Sequence, residues 1–173
     1  MAENLSKENI RLTNLECRVL KPEDSTALGR FFTKVVGNAD DKLFHPHGFG
    51  YVDADNICNH QGKDLYYGVF SGDDILGYGM LRGWSDGYDV PSLGIVISWK
   101  VRGLGLGKMF MSFLHSAERN RGAKSIRLTV LKENVVAKSL YESLGYTFSE
   151  SGDSFVGELV FNRRPSCTTG NSK

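Results

Sequence analysis

Residues 101–108 read V-R-G-L-G-L-G-K, three glycines at alternate positions with Arg102 before them and Lys108 after. Glycine reaches positive φ and lets a ligand come close to the main chain. The stretch lies between an apolar, β-branched run, Leu93–Ile97, and a helical run that starts near Leu106. The first N–H groups of a helix have no partner inside it, and its dipole favours negative charge there. A strand, a glycine turn and a helix N-terminus, bracketed by two cations, suit a phosphate or pyrophosphate. Taken alone, the octapeptide also fits a glycine-softened turn with no ligand.

Two common phosphate motifs are excluded. A dinucleotide fingerprint needs G-x-G-x-x-G and an acidic residue about 20 positions on. This turn reads G-x-G-x-G, and the following strand candidate, Ser125–Leu131, has no carboxylate. A nucleoside-triphosphate P-loop needs Gly where Arg102 stands and Ser or Thr where Met109 stands.

The elements that must position this turn follow from periodicity. Glu16–Leu20 is a short strand candidate, and Pro22 opens a helix with Glu23 and Asp24 in its first turn. Ala27/Leu28, Phe31/Phe32 and Val35/Val36 recur every four residues, one buried helical face ended by Gly37-Asn38. Residues 38–62 are irregular, with a short helix expected over Asp53–Gln61. Leu65–Ser71 and Ile75–Leu81 form a hairpin around Gly72-Asp73-Asp74. Arg82–Pro91 is a polar, aromatic loop, and Leu93–Ile97 has the continuous apolarity of a strand buried on both faces. Leu106, Met109/Phe110, Phe113/Leu114 and Ala117 repeat at helical spacing up to Gly122. Ser125–Leu131 should run parallel to Leu93–Ile97, because a helix intervenes. Asn134–Leu144 is a helix with Asn134 as N-cap, and Tyr146–Glu150 pairs with Phe155–Phe161 as a final hairpin. The order βα(α)βββαβαββ describes an α/β (α+β) domain, a mixed central sheet with helices on both faces.

Composition narrows the partners. The 173 residues suit one domain, 1–161, followed by a polar tail over 162–173 that is expected to be mobile. A net charge of +1 without a basic stripe argues against nucleic acid. No apolar run approaches the ~20 residues of a membrane helix, and 1–12 lacks the apolar core of a secretory leader. Cys17, Cys58 and Cys167 are odd in number and far apart, which points to a reducing, cytoplasmic setting. His45 and His47 form an H-x-H pair, but no metal is expected, since neither an H-E-x-x-H spacing nor a cysteine pair supports one. The two histidines are expected to shape a loop and touch substrate. Trp84, Asp86 and Tyr88 are further candidates, an aromatic and acidic set suited to a cationic or sugar-like ligand.

In this order of elements, two blocks resemble the GNAT superfamily of acetyl-coenzyme-A-dependent N-acyltransferases. The family's pyrophosphate motif, R/Q-x-x-G-x-G/A, is matched by Arg102-Gly103-Leu104-Gly105-Leu106-Gly107. Its second block, an Asn, a Tyr seven residues on and then Gly-Phe or Gly-Tyr, is matched by Asn134, Tyr141 and Gly145-Tyr146. The resemblance covers about residues 11–161. It implies acetyl-CoA as co-substrate, its pyrophosphate on the backbone of Gly103–Lys108. It also implies that Ile95, Val96 and Ile97 line the pantetheine arm as a neighbouring strand would, with a backbone N–H toward the oxyanion. The two parallel strands splay to admit the arm, Asn134 bonds it from the side, and Tyr141 is the general acid that protonates the departing thiolate.

The resemblance also exposes a departure. Family members commonly carry a Glu where this chain has Ser92 or Thr129, and neither residue is a base at neutral pH. His45, His47, Asp53, Asp86, Asp89 or a water held by them are the candidates for that role. The expected acceptor is a primary amine of a small molecule, attacked directly in a ternary complex by a monomer or homodimer. The H-P-H-G-F stretch at 45–49 resembles members with amino-sugar chemistry, so an amino sugar is one such acceptor. A peptide or protein N-terminus is the alternative. A non-catalytic coenzyme-A-binding module is the alternative from another class, favoured by Ser92 and Thr129 and opposed by Tyr141.

Overall fold

A computed structural model describes Leu12 and residues 14–161. The tail expected over 162–173, Cys167 and residues 1–11 lie outside the described residues.

A seven-stranded sheet is formed by β1 (Leu15–Val19), β2 (Leu65–Ser71), β3 (Asp74–Arg82), β4 (Ser92–Ile97), β5 (Ser125–Leu131), β6 (Thr147–Ser151) and β7 (Ser154–Val160). Its spatial order is β1-β2-β3-β4-β5-β7-β6. Every neighbour is antiparallel except β4 and β5, which run parallel across the helical crossover, as expected. The helices are α1 (Ser25–Gly37), α2 (Tyr51–Cys58), α3 (Leu106–Asn120) and α4 (Val135–Ser143).

The two faces are covered unequally. On one, α3 and α4 bury Phe110, Leu114 and Tyr141 against Tyr67, Leu81, Leu93, Ile126 and Leu128, with Phe148 and Leu159 packed at the edge. That core reaches from β2 to β6. On the other, α1 and α2 place Leu28, Phe31, Phe32 and Ala54 over Phe70, Tyr78, Met80 and Val96. Among the described residues this second core takes side chains from β2, β3 and β4 and none from β5, β7 or β6. Close packing under α3 relies on Gly79, where a Cβ would come within 2.9 Å of both Leu114 and Phe110.

Two local expectations are corrected. The second helix spans Tyr51–Cys58 rather than Asp53–Gln61. Asp53 lies one turn inside it, accepting the Gly50 N–H at 2.8 Å, and Asn59 ends it by donating its side-chain amide to the Asp55 carbonyl at 2.9 Å. Pro22 opens a single 3₁₀ turn, Pro22–Asp24, before α1 begins at Ser25. There Asp24 accepts the Lys21 N–H at 2.8 Å and two bonds from Arg18, so its carboxyl is held below the usual range, chiefly by the Arg18 bond.

Phe110 is fully buried between α3 and the sheet. Phe110→Ala is expected to destabilise the fold by about 3–5 kcal/mol, read as a lower denaturant midpoint with an unchanged slope.

Candidate active site

The parallel pair β4–β5 shares one register pair, Ser92 with Arg127, joined by the Arg127 N–H to the Pro91 carbonyl at 3.0 Å. Beyond it the strands part, β4 remaining on β3 and β5 on β7. A cleft of about 530 Å³ lies at this opening. Ile95, Val96 and Ile97 line it from β4, and Arg102, Gly103, Gly105, Gly107 and Lys108 from the turn. Asn134, Val136, Ala137, Leu140 and Tyr141 complete it from α4. Side chains of Ile95 and Ile97 belong to the α3 side and Val96 to the α1 side, so main chain forms the strand's rim.

The turn has the geometry its glycines require. Gly103 and Gly105 both have φ of +81°, and Gly105 is the N-cap of α3. A Cβ at either would meet nothing within 4 Å, so the cradle opens outward rather than onto protein. Its donors are the first N–H groups of α3, with the exposed Lys108 in the first turn. Leu106, by contrast, is buried in the core and anchors the helix, while Leu104 is exposed on the turn. This donor set fits a pyrophosphate. Arg102 is partly committed elsewhere: its Nε donates to the Ile97 carbonyl at 3.0 Å, and its Nη2 pairs with Asp40 at 2.8 Å. It thereby ties the turn to the end of β4 and to the segment after α1.

Asn134 caps α4, its Oδ1 accepting the Ala137 N–H at 3.2 Å. The Nδ2 donor is then the end of the amide suited to a ligand. Tyr141 is buried, and burial pushes its phenol up to about 12. Its ring lies 5.8 Å from that of Tyr146, whose hydroxyl is 2.8 Å from Nε2 of the buried His115. Burial lowers His115 to about 4, so a neutral imidazole backs the pair.

Sequence reasoning missed His115, Asp40, Leu43 and Phe44. The last three form the cleft wall on the α1 side. His115 was detectable, because with Met111, Leu114 and Glu118 it completes a buried stripe at helical spacing. Asp40 carries no such mark, since its partner is remote in sequence.

The proposed acceptor residues are not gathered at this cleft. His45 is exposed. His47 is half-buried among Phe32, Phe49 and Tyr78. Its Nδ1–H donates to the Gly48 carbonyl at 2.6 Å, and its Nε2 accepts from the Tyr78 hydroxyl at 2.9 Å. Burial lowers its pKa, and both ring nitrogens are used. Trp84 donates Nε1–H to the fully buried Glu118 at 2.8 Å and stacks under Arg121, 5.0 Å from its ring centre, which anchors the 82–91 loop on the α3 side. Asp86, Tyr88 and Asp89 are exposed on that loop, which enters β4 beside Arg127.

A mixed sheet opened between two parallel strands, with a glycine turn at the mouth and a buried tyrosine at the wall, is the architecture of an acyl-coenzyme-A transferase. A profile of the Acetyltransferase (GNAT) family matches residues 32–146, and the chain belongs to that family. It is an acetyl-CoA-dependent N-acetyltransferase. No curated protein matches the sequence. Among solved structures it is similar to a GNAT-family acetyltransferase of Streptococcus pneumoniae, at 20% identity and a TM-score of 0.70 over 85% of this chain and 99% of that one. The PaiA N-acetyltransferase of Thermoplasma acidophilum, solved in complex with coenzyme A, matches at 18% identity and 0.65, over 85% and 99%. The ribosomal-protein-S18-alanine N-acetyltransferase of Escherichia coli matches at 16% and 0.66, over 88% and 97%.

Two outcomes are expected. Gly105→Ala forces a side chain into left-handed backbone, at a cost of about 1–2 kcal/mol, and calorimetry should show coenzyme A affinity reduced by about tenfold. The His115 imidazole titrates near 6.5 when unfolded and about 4 when folded. The unfolded chain therefore binds more protons between these values, and stability falls as pH drops from 6.5 toward 4. Denaturation across that range should show the slope in the wild type and a shallower one in His115→Gln.

Proposed function

We propose that this enzyme acetylates a primary amine of a small molecule, an amino sugar among the candidates, by direct attack within a ternary complex. The observation that carries the reading is the roof of the cleft. The segment after α1 is fastened over the opening by the Asp40–Arg102 ion pair and by Arg82, whose Nη1 donates to the Pro46 carbonyl at 3.3 Å. One tie to the turn and one to β3 hold this segment against the cleft, and favour a compact acceptor over a folded one. A peptide or protein N-terminus is the second reading, supported by the face of β5, β7 and β6 that no described helix covers. A reducing, cytoplasmic setting fits the free thiols Cys17 and Cys58.

Acetyl-CoA supplies an activated thioester. The N–H groups of Gly103–Lys108 hold its pyrophosphate, and the parted edge of β4 at Ile95–Ile97 offers main-chain groups to the pantetheine amides. Asn134 donates from the side through Nδ2. Tyr141 delivers its phenolic proton to the leaving sulfur. Because burial holds that phenol near 12, the proton is in place throughout the neutral range.

Tyr141→Phe should therefore lower kcat by about 10²- to 10⁴-fold while calorimetric coenzyme A affinity stays within a factor of about two. The assay is thiol release from acetyl-CoA with a panel of primary amines, and equal turnover by the variant would remove Tyr141 from the chemistry.

A further inference from the structure

The sheet face that α1 and α2 leave open carries two charged side chains at the foot of the β4–β5 gap. Along β5, Ile126, Leu128 and Val130 enter the core under α3, so Arg127 and Thr129 point the other way, and both are exposed. Along β7, Phe155 and Leu159 pack on the α3 side, leaving Val156 and the exposed Glu158 on the opposite face. The register sets Arg82, Ser92, Arg127, Glu158 and Thr147 in one row across the strands. Thr129, Val156 and Ser149 form the next row toward the cleft. The strands part between these two rows. Arg127 on β5 thus borders the opening and Glu158 on β7 stands one strand behind it, both on the face opposite the one that carries Tyr141.

Glu158 is the diagonal neighbour of Thr129 across β5 and β7. Diagonal partners lie about 7–8 Å apart, their Cβ atoms somewhat closer, a span that a glutamate and one water bridge. Two of the other candidates are already engaged. Asp53 accepts the Gly50 N–H, and His47 has both nitrogens engaged. Arg82, in the same row, donates to the Pro46 carbonyl, which leaves Arg127 as the exposed guanidinium beside the gap. One exposed cation and one exposed anion, directly opposed across neighbouring strands, match an acceptor that bears both charges.

We propose that Glu158 receives the acceptor's ammonium and its proton, and that Arg127 selects primary amines carrying an anionic group, a carboxylate or a phosphate. The inference rests on the reading of the acceptor as a small amine and narrows its class. The ammonium gives one proton to Glu158 through a water. The nitrogen bonds to the acetyl carbon, the C–S bond breaks, and the thiolate leaves with the Tyr141 proton. A second nitrogen proton restores Tyr141, so the net proton released is the one on Glu158.

Matched amines test both halves: ethanolamine against phosphoethanolamine, glucosamine against glucosamine 6-phosphate, and β-alaninamide against β-alanine. The wild type is expected to favour the anionic member of at least one pair by about tenfold or more in kcat/KM, and Arg127→Gln to abolish that preference. Glu158→Gln should lower kcat/KM on every accepted amine by about 10²-fold or more, with calorimetric coenzyme A affinity unchanged. Adding Thr129→Glu to Glu158→Gln should recover part of the loss, because the carboxylate returns one row away. An active wild type matched by Glu158→Gln, or one without anionic preference, overturns the proposal. So does a Glu158→Gln protein that loses coenzyme A affinity, which would make the residue structural. A wild type that turns over none of the amines overturns the small-acceptor reading and this inference with it.

Discussion

The arrangement depends on a parallel pair that stops pairing. Buried main-chain N–H and C=O groups need partners, and in a continuous sheet β4 and β5 would supply them to each other. Here the ladder ends at Ser92 and Arg127, and the main chain of Gly94–Ile97 has a strand on the β3 side only. A ligand with amides along its length is the natural second neighbour. The parting is held open from both flanks, because β4 is locked into a β3 ladder from Gly77 to Arg82 and β5 into a β7 ladder over its full length.

Several ties converge on that opening. Arg102 joins the last carbonyl of β4 to Asp40, so the phosphate turn and the roof of the cleft move together. The left-handed backbone of Ala39, φ 56°, starts the short turn that aims Asp40 at the guanidinium. On the far wall, Tyr141 is wedged against Tyr146, and Tyr146 is held by His115 on α3. Tyr141, the proposed general acid, is thus positioned from the same helix whose N-terminus follows the glycine turn.

Much of this was legible in the sequence, for identifiable reasons. The strand–glycine–helix joint at 93–106 and the Asn134 cap are local, and local signals are written in consecutive residues. Gly103 and Gly105 do adopt the positive φ that only glycine takes easily. The splay of β4 and β5 was reached only through family resemblance, since no property of either strand alone encodes where a ladder ends. Trp84 shows the converse failure. Its loop position and acidic neighbours suggest a ligand contact, whereas its indole N–H is bonded to Glu118, a buried carboxylate 34 residues along the chain. Asp40 and Glu158 carry no mark in the sequence, because one is paired, and the other placed, by residues far along the chain.

The unequal covering of the two faces follows from simple dimensions. Seven strands at about 4.8 Å spacing make a sheet nearly 30 Å wide, and α1 with the short α2 packs only on β2, β3 and β4. The half-sheet that no described helix covers needs polar side chains to stay hydrated, and Arg127, Thr129, Glu158, Thr147 and Ser149 supply them. Hydration alone, however, places no condition on where the charges stand. They could sit on any alternate position of β5, β6 or β7, in either sign. What the register shows is a cation and an anion side by side in the last row before β4 and β5 separate, with uncharged residues in the row beyond. That concentration at the edge of the opening is the part that solvation leaves unexplained and that recognition of a doubly charged acceptor accounts for.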